Sequence, residues 1–313
     1  MPSAVETDKL YSPRRIRWRN GGRSKHAGKL SGDMTMRRVA MALTAWLAAM
    51  GAAEAQTAVE RGRYLVQTIA ACGNCHTPKG PQGDLPNMAL AGGFTIEEAP
   101  FTAIASNITP DPDTGIGKWT DDQLFLAIRE GKRPDGSIIG PPMPFELYRG
   151  LADEDVRAMI AYLRTVKPIR NAVAKSTYRM PLPPAWGPPV GEIKAPPRSD
   201  KVAYGAYLAG PLGHCTDCHT PHKPDHTLDM SKAGAGGRPF PGPWGTSVSA
   251  NITPHGLADW SDAEIARAIR TGVSKDGRKL FPPMAYSYYA GISNDDMAAL
   301  IAYLRSLPPS RAN

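Results

Sequence analysis

The chain has 313 residues, and its 37 Lys and Arg exceed its 29 Asp and Glu to give a formal net charge of +8. Ten of these bases but only four of the acids lie in residues 1–55, which leaves the rest of the chain with 27 bases and 25 acids. That balance excludes the basic surface that nucleic-acid binding requires, so we predict no nucleic-acid partner.

The amino terminus predicts export. Arg37 and Arg38 precede a run of 15 small and apolar residues, which ends in an Ala-x-Ala cleavage pattern at residues 53–55. A membrane-spanning helix needs about 20 apolar residues. We therefore predict a cleaved signal peptide over residues 34–55, a periplasmic location and no transmembrane helix in the mature chain, with anchoring by an uncleaved signal as the alternative. Residues 1–33 are predicted to be a non-native or disordered extension.

An internal duplication organises the rest of the chain. It predicts two tandem domains, residues 57–168 (the first half) and residues 199–309 (the second half). A Pro-rich stretch over residues 169–198 predicts an extended linker between them. Four motifs recur with offsets of 141 to 144 residues: Cys72-Gly-Asn-Cys75-His76 and Cys215-Thr-Asp-Cys218-His219, Asn107-Ile-Thr-Pro110 and Asn251-Ile-Thr-Pro254, Pro141-Pro-Met143 and Pro282-Pro-Met284, and Ala161-Tyr-Leu-Arg164 and Ala302-Tyr-Leu-Arg305.

The first motif of each half, Cys-x-x-Cys-His, is a strong signal for covalently attached haem c. Its two thiols bond to the porphyrin, and the adjacent His is a ligand of the iron. A redox dithiol needs no following His, and a zinc site needs further ligands. The motifs contain all four Cys of the chain, so none remains for a disulfide. We predict two haem c groups, with attachment at Cys72, Cys75, Cys215 and Cys218 and iron ligation by His76 and His219.

A repeated polar loop and a repeated Trp follow each Cys-x-x-Cys-His motif. A Trp N–H is a donor that needs a partner when it is buried. Contacts to the haem propionates are therefore one prediction for this set, and turn formation with core packing is the alternative. The set consists of Asn107, Trp119, Asn251 and Trp260.

Helical periodicity is the main secondary-structure signal in each half. Capping boxes at Thr120 and Gln123 and at Ser261 and Glu264 predict a helix, and apolar spacing predicts an amphipathic helix at the end of each half. The 31 Gly and 31 Pro predict long loops, which a bound haem would fill. No segment alternates enough to predict a sheet. The predicted fold class is therefore mainly α.

A second iron ligand is predicted in each half. Met143 and Met284 each follow two prolines, about 70 residues after the first Cys of their half, and a thioether ligand raises the reduction potential. A Met is otherwise a core residue, and His222 or His226 in place of Met284 is a further alternative. Basic residues ahead of these loops predict steering of an acidic partner, with ordinary solvated loops as the alternative: Lys132, Arg133, Lys275, Arg278 and Lys279.

Each half resembles class I cytochrome c, from the helix before Cys-x-x-Cys-His to the last helix. The closer resemblance is to tandem cytochrome c subunits that accept electrons from bacterial periplasmic or membrane dehydrogenases. It is carried by Ser106-Asn-Ile-Thr-Pro-Asp111, by Thr114-Gly-Ile-Gly-Lys-Trp119 and by the Ala-Tyr-Leu-Arg of the last helix. The resemblance implies two tandem cytochrome c-like domains with His/Met-ligated haems.

The resemblance also implies an electron-transfer protein without catalytic residues of its own. A dehydrogenase would be the donor, and a terminal oxidase or another cytochrome the acceptor. The cytochrome subunits of membrane alcohol, gluconate and sorbitol dehydrogenases commonly have three haem motifs, whereas this chain has two, which favours a soluble shuttle or a partner of a molybdenum or flavin dehydrogenase. The alternative is a di-haem enzyme similar to thiosulfate dehydrogenase or to a peroxidase. Two matched methionine loops argue against it, because an enzyme needs an open position at iron.

Overall fold

The computed structural model describes residues 58–224, 227–242 and 244–310. They belong to a compact unit formed by residues 52–313. The predicted extension (residues 1–33) and signal peptide (residues 34–55) lie outside the described residues. In the part that is described, no helix has the length and apolar character needed to cross a bilayer.

The helices and strands of the first half recur in the same order in the second half, except for the short β1–β2 hairpin. The first half contains α1 (residues 58–67), α2 (Gly73–His76), β1 (Lys79–Gly80), β2 (Gly83–Asp84), β3 (Thr95–Glu98), β4 (Phe101–Ile104), α3 (Asp121–Glu130), α4 (Phe145–Tyr148) and α5 (Asp153–Thr165). The linker contains β5 (Thr177–Tyr178). The second half contains α6 (Lys201–Tyr207), a π-helical turn (Leu208–Leu212), α7 (Cys215–His219), β6 (Pro239–Gly242), β7 (Gly245–Val248), α8 (Asp262–Thr271), α9 (Tyr286–Tyr289) and α10 (Asn294–Ser306).

The predicted capping boxes are both present. Thr120 and Gln123 exchange side-chain and backbone hydrogen bonds at the start of α3, and Ser261 and Glu264 do the same at the start of α8. Both helices end at a glycine in the left-handed region, which satisfies the last turn without the steric cost of a Cβ. The helices that the sequence predicts are therefore confirmed at these positions.

The prediction that the chain forms no sheet is wrong. β3 and β4 form an antiparallel hairpin that pairs Thr95 with Ile104, and β6 and β7 form one that pairs Pro239 with Val248. The linker strand β5 adds to β4, with Tyr178 opposite Phe101. These strands have only two to four residues, too few for an alternating pattern to emerge from the sequence.

The first and last helices of each half cross at a glycine. A Cβ on Gly62 of α1 would overlap the Ala158 carbonyl of α5, and a Cβ on Gly205 of α6 would overlap the Ala299 carbonyl of α10. The absence of a side chain lets the backbones approach closely. Each pair of helices then contributes to one apolar core that runs through both halves.

The two halves exchange equivalent hydrogen bonds. Tyr64 Oη of the first half donates to Asp296 Oδ2 at 2.8 Å, and Tyr207 Oη of the second half donates to Asp155 Oδ2 at 2.7 Å. Both aspartates are buried, with 1% and 2% exposure. The two tyrosines are 143 residues apart and the two aspartates 141, so like surfaces meet as in an isologous dimer.

The linker lies against the first half. Its Trp186 ring stacks on Phe145 with 5.9 Å between centroids, and its Nε1–H donates to the Ile139 carbonyl at 2.9 Å. The side chain of Arg129 donates to the Gly191 carbonyl at 3.2 Å. These contacts hold the linker along the surface of the first half. Its one strand is β5.

Candidate functional site

Each Cys-x-x-Cys-His motif forms a short helix, α2 or α7. The residue before the first Cys has a positive φ in both halves, 46° at Ala71 and 41° at His214. This conformation costs a non-glycine residue about 1 kcal/mol or more. Both halves keep it at the same position, as is typical of backbone held in place for a functional site.

The thiols of the two motifs are half-buried and form no disulfide. Burial raises the pKa of Cys72 to about 12, that of Cys215 to about 11 and that of Cys218 to about 12. Redox-active Cys-x-x-Cys pairs instead have lowered thiol pKa values. The environment therefore disfavours a redox dithiol.

The two motif histidines are oriented by backbone carbonyls. His76 Nδ1 lies 2.7 Å from the Ser106 carbonyl oxygen, and His219 Nδ1 lies 2.7 Å from the Ala250 carbonyl oxygen. A carbonyl can only accept, so each Nδ1 carries the proton and each Nε2 keeps its lone pair. Burial lowers the pKa of both imidazoles, which favours their neutral form. This is the arrangement of a metal-ligating His.

The accepting carbonyls sit on the repeated Asn-Ile-Thr-Pro loops. Asn107 Oδ1 accepts from Thr109 N at 2.9 Å, while its Nδ2 donates to the Ile169 carbonyl at 2.8 Å. Asn251 makes the same bonds to Thr253 N at 3.0 Å and to the Ser310 carbonyl at 2.7 Å. These are the contacts of the turn-forming alternative, and they fix the loop that orients the histidine. Contacts of either Asn to a propionate stay a prediction.

The repeated Trp residues lie half-buried against the core. Their backbone carbonyls accept from the Arg of the Ala-Tyr-Leu-Arg motif, Arg164 to Trp119 and Arg305 to Trp260. Each Arg thus ties the last helix of its half to the Trp loop, a role that the sequence analysis missed although the repeated motif marked it. The propionate contact of the two indoles stays a prediction.

The methionine loops begin with equivalent backbone hydrogen bonds: Ile139 N donates to the Gly131 carbonyl and Leu280 N to the Gly272 carbonyl, both at 2.7 Å. Met143 and Met284 are half-buried against the core, and the bond between the two preceding prolines is cis. The loops are held by hydroxyl groups from different elements. Tyr178 of the linker donates to the Pro141 carbonyl at 3.2 Å, and Ser247 of β7 donates to the Pro282 carbonyl at 2.7 Å.

The alternative ligand His222 lies in a loop where it forms a backbone bridge with Leu228. The other alternative, His226, lies outside the described residues. In the part of the chain that is described, no three His, Cys, Asp or Glu side chains come together to hold a metal ion.

Both motif helices face the opposite half. Gly73 of α2 lies against Tyr288 of α9, where a Cβ would be 2.5 Å from the Tyr288 hydroxyl. The Tyr148 ring of α4 meets the His214 ring edge-on with 6.1 Å between centroids. The sequence motifs gave no sign of this arrangement, because it depends on how the halves pack. It brings the two candidate haem sites to one interface.

Comparison with known proteins gives matches to cytochromes. Residues 59–167 match the family model of cytochrome c. The fructose dehydrogenase cytochrome subunit of Gluconobacter japonicus is 32% identical over 80% of this chain and 52% of its own length. The cytochrome c subunit of the alcohol dehydrogenase (quinone) of Gluconobacter oxydans is 33% identical over 87% and 60%. The diheme cytochrome c-type protein of Cereibacter sphaeroides is 31% identical over 76% and 82%. The chain thus spans little more than half the length of the first two relatives.

Proposed function

Since this chain belongs to the cytochrome c family, we propose that it transfers electrons through two haem c groups, each with His/Met ligation. One observation carries the proposal. Two motif histidines, 143 residues apart, each have Nδ1 bound to a carbonyl and Nε2 left for iron. The same ligand geometry occurring twice supports two equivalent haem domains, residues 57–168 and 199–309, joined by the linker.

The donor set of each half fits haem c. Bound haem supplies a one-electron change between ferrous and ferric iron. The thiols of Cys72 and Cys75, and of Cys215 and Cys218, would hold it covalently, while the carbonyls of Ser106 and Ala250 keep the His76 and His219 rings in a fixed orientation. Fixed ligands favour electron transfer because little has to move when the charge changes.

The methionines decide between electron transfer and catalysis. Met143 and Met284 would each supply the second protein ligand of one iron, and a neutral thioether favours the ferrous state. A di-haem enzyme similar to a peroxidase or to thiosulfate dehydrogenase needs an open or displaceable iron position. Because each half has its own Pro-Pro-Met loop, the alternative of one closed and one open haem is disfavoured.

The partner follows from the relatives. Several are named as cytochrome subunits of dehydrogenases that act on fructose, alcohol or gluconate. We propose a dehydrogenase as the electron donor and a terminal oxidase or another cytochrome as the acceptor. The leader over residues 34–55 supports export to the periplasm. The donor's own substrate is a property of that partner.

The test is to count the haems and identify their ligands. We expect two haem c per purified chain by pyridine haemochrome analysis, and one after Cys72→Ala with Cys75→Ala. We expect the near-infrared band of ferric Met ligation to fall by about half in Met143→Ala and in Met284→Ala, because each variant removes one of two sulfur ligands. Met230→Ala, an exposed methionine of the second half, is the matched control. A wild-type protein without this band would refute the Met assignment.

A further inference from the structure

The corresponding hairpins of the two halves differ in what covers them. In the first half, β5 adds to the outer edge of β4, and Ile104, the counterpart of Val248, is half-buried. In the second half β7 corresponds to β4 with an offset of 144. Within the described ranges no strand pairs with its outer edge, and Val248 is 61% exposed. The fold thus contains one covered hairpin and one open hairpin.

The methionine loops beside these hairpins differ in the same way. A Cβ on Gly140 would overlap the ring of Tyr178, because the linker strand lies over this loop. The corresponding residue of the second half is Phe281, which is 52% exposed. Trp244, at the turn of the open hairpin, is also exposed. We call β7 with the side chains of Trp244, Val248 and Phe281 the open edge.

Only one side of the second hairpin is free to pair. Pro239 and Pro241 of β6 lie opposite Val248 and Thr246, and neither proline has an N–H to donate. Proline on an outer strand is a common way to prevent pairing at a sheet edge. β7 contains no proline, so its edge keeps its full set of donors and acceptors.

The open edge is also more basic than its covered counterpart. Arg278 and Lys279, both exposed, stand where the first half has Ser137 and Ile138. The acid of this loop, Asp276, corresponds to Asp135 of the first half, so it adds no difference between them. The first half has Lys132 and Arg133 where the second has Val273 and Ser274, and Lys275 stands in place of Pro134, so the loop that leads to Met284 carries one base more than its counterpart. With three bases to one acid, this loop favours an acidic ligand.

We propose that the open edge binds an extended, acidic segment of a redox partner, which adds to β7 as β5 adds to β4. Strand addition of this kind combines main-chain hydrogen bonds with side-chain contacts. The pairing of β5 with β4 shows that the corresponding hairpin of the first half accepts an added strand. Ser247 of β7 bonds the Pro282 carbonyl, so the partner would lie beside the Met284 loop. The second half then exchanges electrons with the partner, while the linker covers the same face of the first half. The electron exchange and the naming of the partner as a redox protein rest on the proposed function, whereas the strand addition does not.

The probe is a fluorescein-labelled peptide patterned on residues 174–180, with glutamate in place of Lys175 and Arg179. We expect it to bind the purified holoprotein in an anisotropy titration. The Ile104 N–H of β4 points outward and donates to Ser176 Oγ at 3.0 Å, so the N–H of its counterpart Val248 faces the open edge. Val248→Pro removes that donor without removing a β6–β7 hydrogen bond. We expect it to weaken binding by about tenfold or more, while Val248→Thr, which keeps the N–H, binds like wild type.

Further variants in the same binding titration test the strand pairing and the charge separately. Thr246→Pro removes the neighbouring outward N–H and should act like Val248→Pro. Arg278→Glu with Lys279→Glu should also weaken binding by about tenfold, and more at low salt than at high salt. Lys194→Glu, an exposed lysine of the linker, should not. The unaltered basic peptide of residues 174–180 should bind less well than the acidic one.

Three outcomes would overturn the proposal: no binding to wild type at millimolar peptide, equal binding to wild type and Val248→Pro, or a wild-type dimer that Val248→Pro dissociates in analytical ultracentrifugation. The last would show that a second copy of this chain occupies the edge. The haem count and near-infrared band are measured on the same samples without peptide. A failure of the proposed function therefore appears separately from a failure of binding.

Discussion

Asp153 is a single residue that joins the last helix of the first half to the linker. Its carboxylate accepts from the Arg129 side chain and from Ile193 N at 3.0 Å, and its own N–H donates to the Ile193 carbonyl at 2.9 Å. Burial alone would raise the pKa of Asp153. The hydrogen bonds from Ile193 and Arg129 and the charge of Arg129 outweigh it, so the pKa lies below its ordinary value.

This lowered pKa predicts a pH-dependent contribution to stability. A carboxyl group whose pKa is lower in the folded than in the unfolded protein stabilises the fold above the unfolded value, near pH 4, and loses that contribution as the pH falls through the folded value. We expect the free energy of unfolding of wild type to decrease below about pH 4, and this decrease to be smaller in Asp153→Asn. Denaturant titrations of the holoprotein between pH 2 and pH 7 measure it. Asp122→Asn, an exposed acid on α3, is the control, and an equal change in both variants would contradict the assignment.

The site residues differ in how far the sequence alone can identify them. The cysteines and histidines follow from the motif, because covalent attachment and ligation require those residue types at that spacing. The carbonyl acceptors of Ser106 and Ala250 cannot be identified from the sequence. Their backbone oxygens make the contact, and the two residue types differ, so no repeated side chain marks them. The repeated Asn beside each acceptor was the nearest available signal. It marked the loop that carries the acceptor, not the contact itself.

The packing of helices gives the clearest prediction at the scale of elements. A Cβ on Gly62 or Gly205 would overlap a carbonyl of the crossing helix, and the backbones would have to separate. We expect Gly62→Ala and Gly205→Ala each to lower the free energy of unfolding by about 3 kcal/mol. In contrast, a Cβ on Gly191 of the linker meets nothing within 4 Å, so Gly191→Ala should change stability by less than about 0.5 kcal/mol. Equal effects in the crossing and linker variants would contradict the close helix contact.

Helices and strands also differ in how well the sequence predicts them. The capping boxes that start α3 and α8 depend on residues three positions apart, so a local pattern contains all of their information. β5 pairs with β4 across about 75 residues of chain, and Trp186 covers Phe145 from the same linker. Contacts between residues so far apart in the sequence leave no local sequence pattern. Proline density predicts an extended linker but not the surface against which it lies.

At the scale of the whole molecule, the exchanged Tyr–Asp hydrogen bonds link the two halves. Tyr64 and Tyr207 each donate to a buried aspartate of the other half and accept a backbone N–H, from Ser293 and Ala152 respectively, at 3.1 Å. Burial, followed by the charge of Asp155, raises the pKa of Tyr207, so its hydroxyl stays protonated and can donate. Because the core is also continuous, we expect denaturant unfolding of the holoprotein in one transition at both haems.

Removal of either hydroxyl should then weaken the whole molecule and not one half. Tyr64→Phe and Tyr207→Phe each leave an aspartate and a backbone N–H with one partner fewer, so each should cost about 1–3 kcal/mol. The control is Tyr303→Phe, whose hydroxyl takes part in none of the hydrogen bonds of the described residues. Unfolding is followed through the near-infrared band in the Met143→Ala and Met284→Ala backgrounds, where that band reports on one haem alone. If Tyr207→Phe shifts the transition at only one haem, the halves unfold independently and the interface does not couple them. If the transition shifts at both haems in both variants, the equivalent bonds act on a single cooperative unit. The open edge of the second half then lies on a domain that the linker and this interface hold rigid.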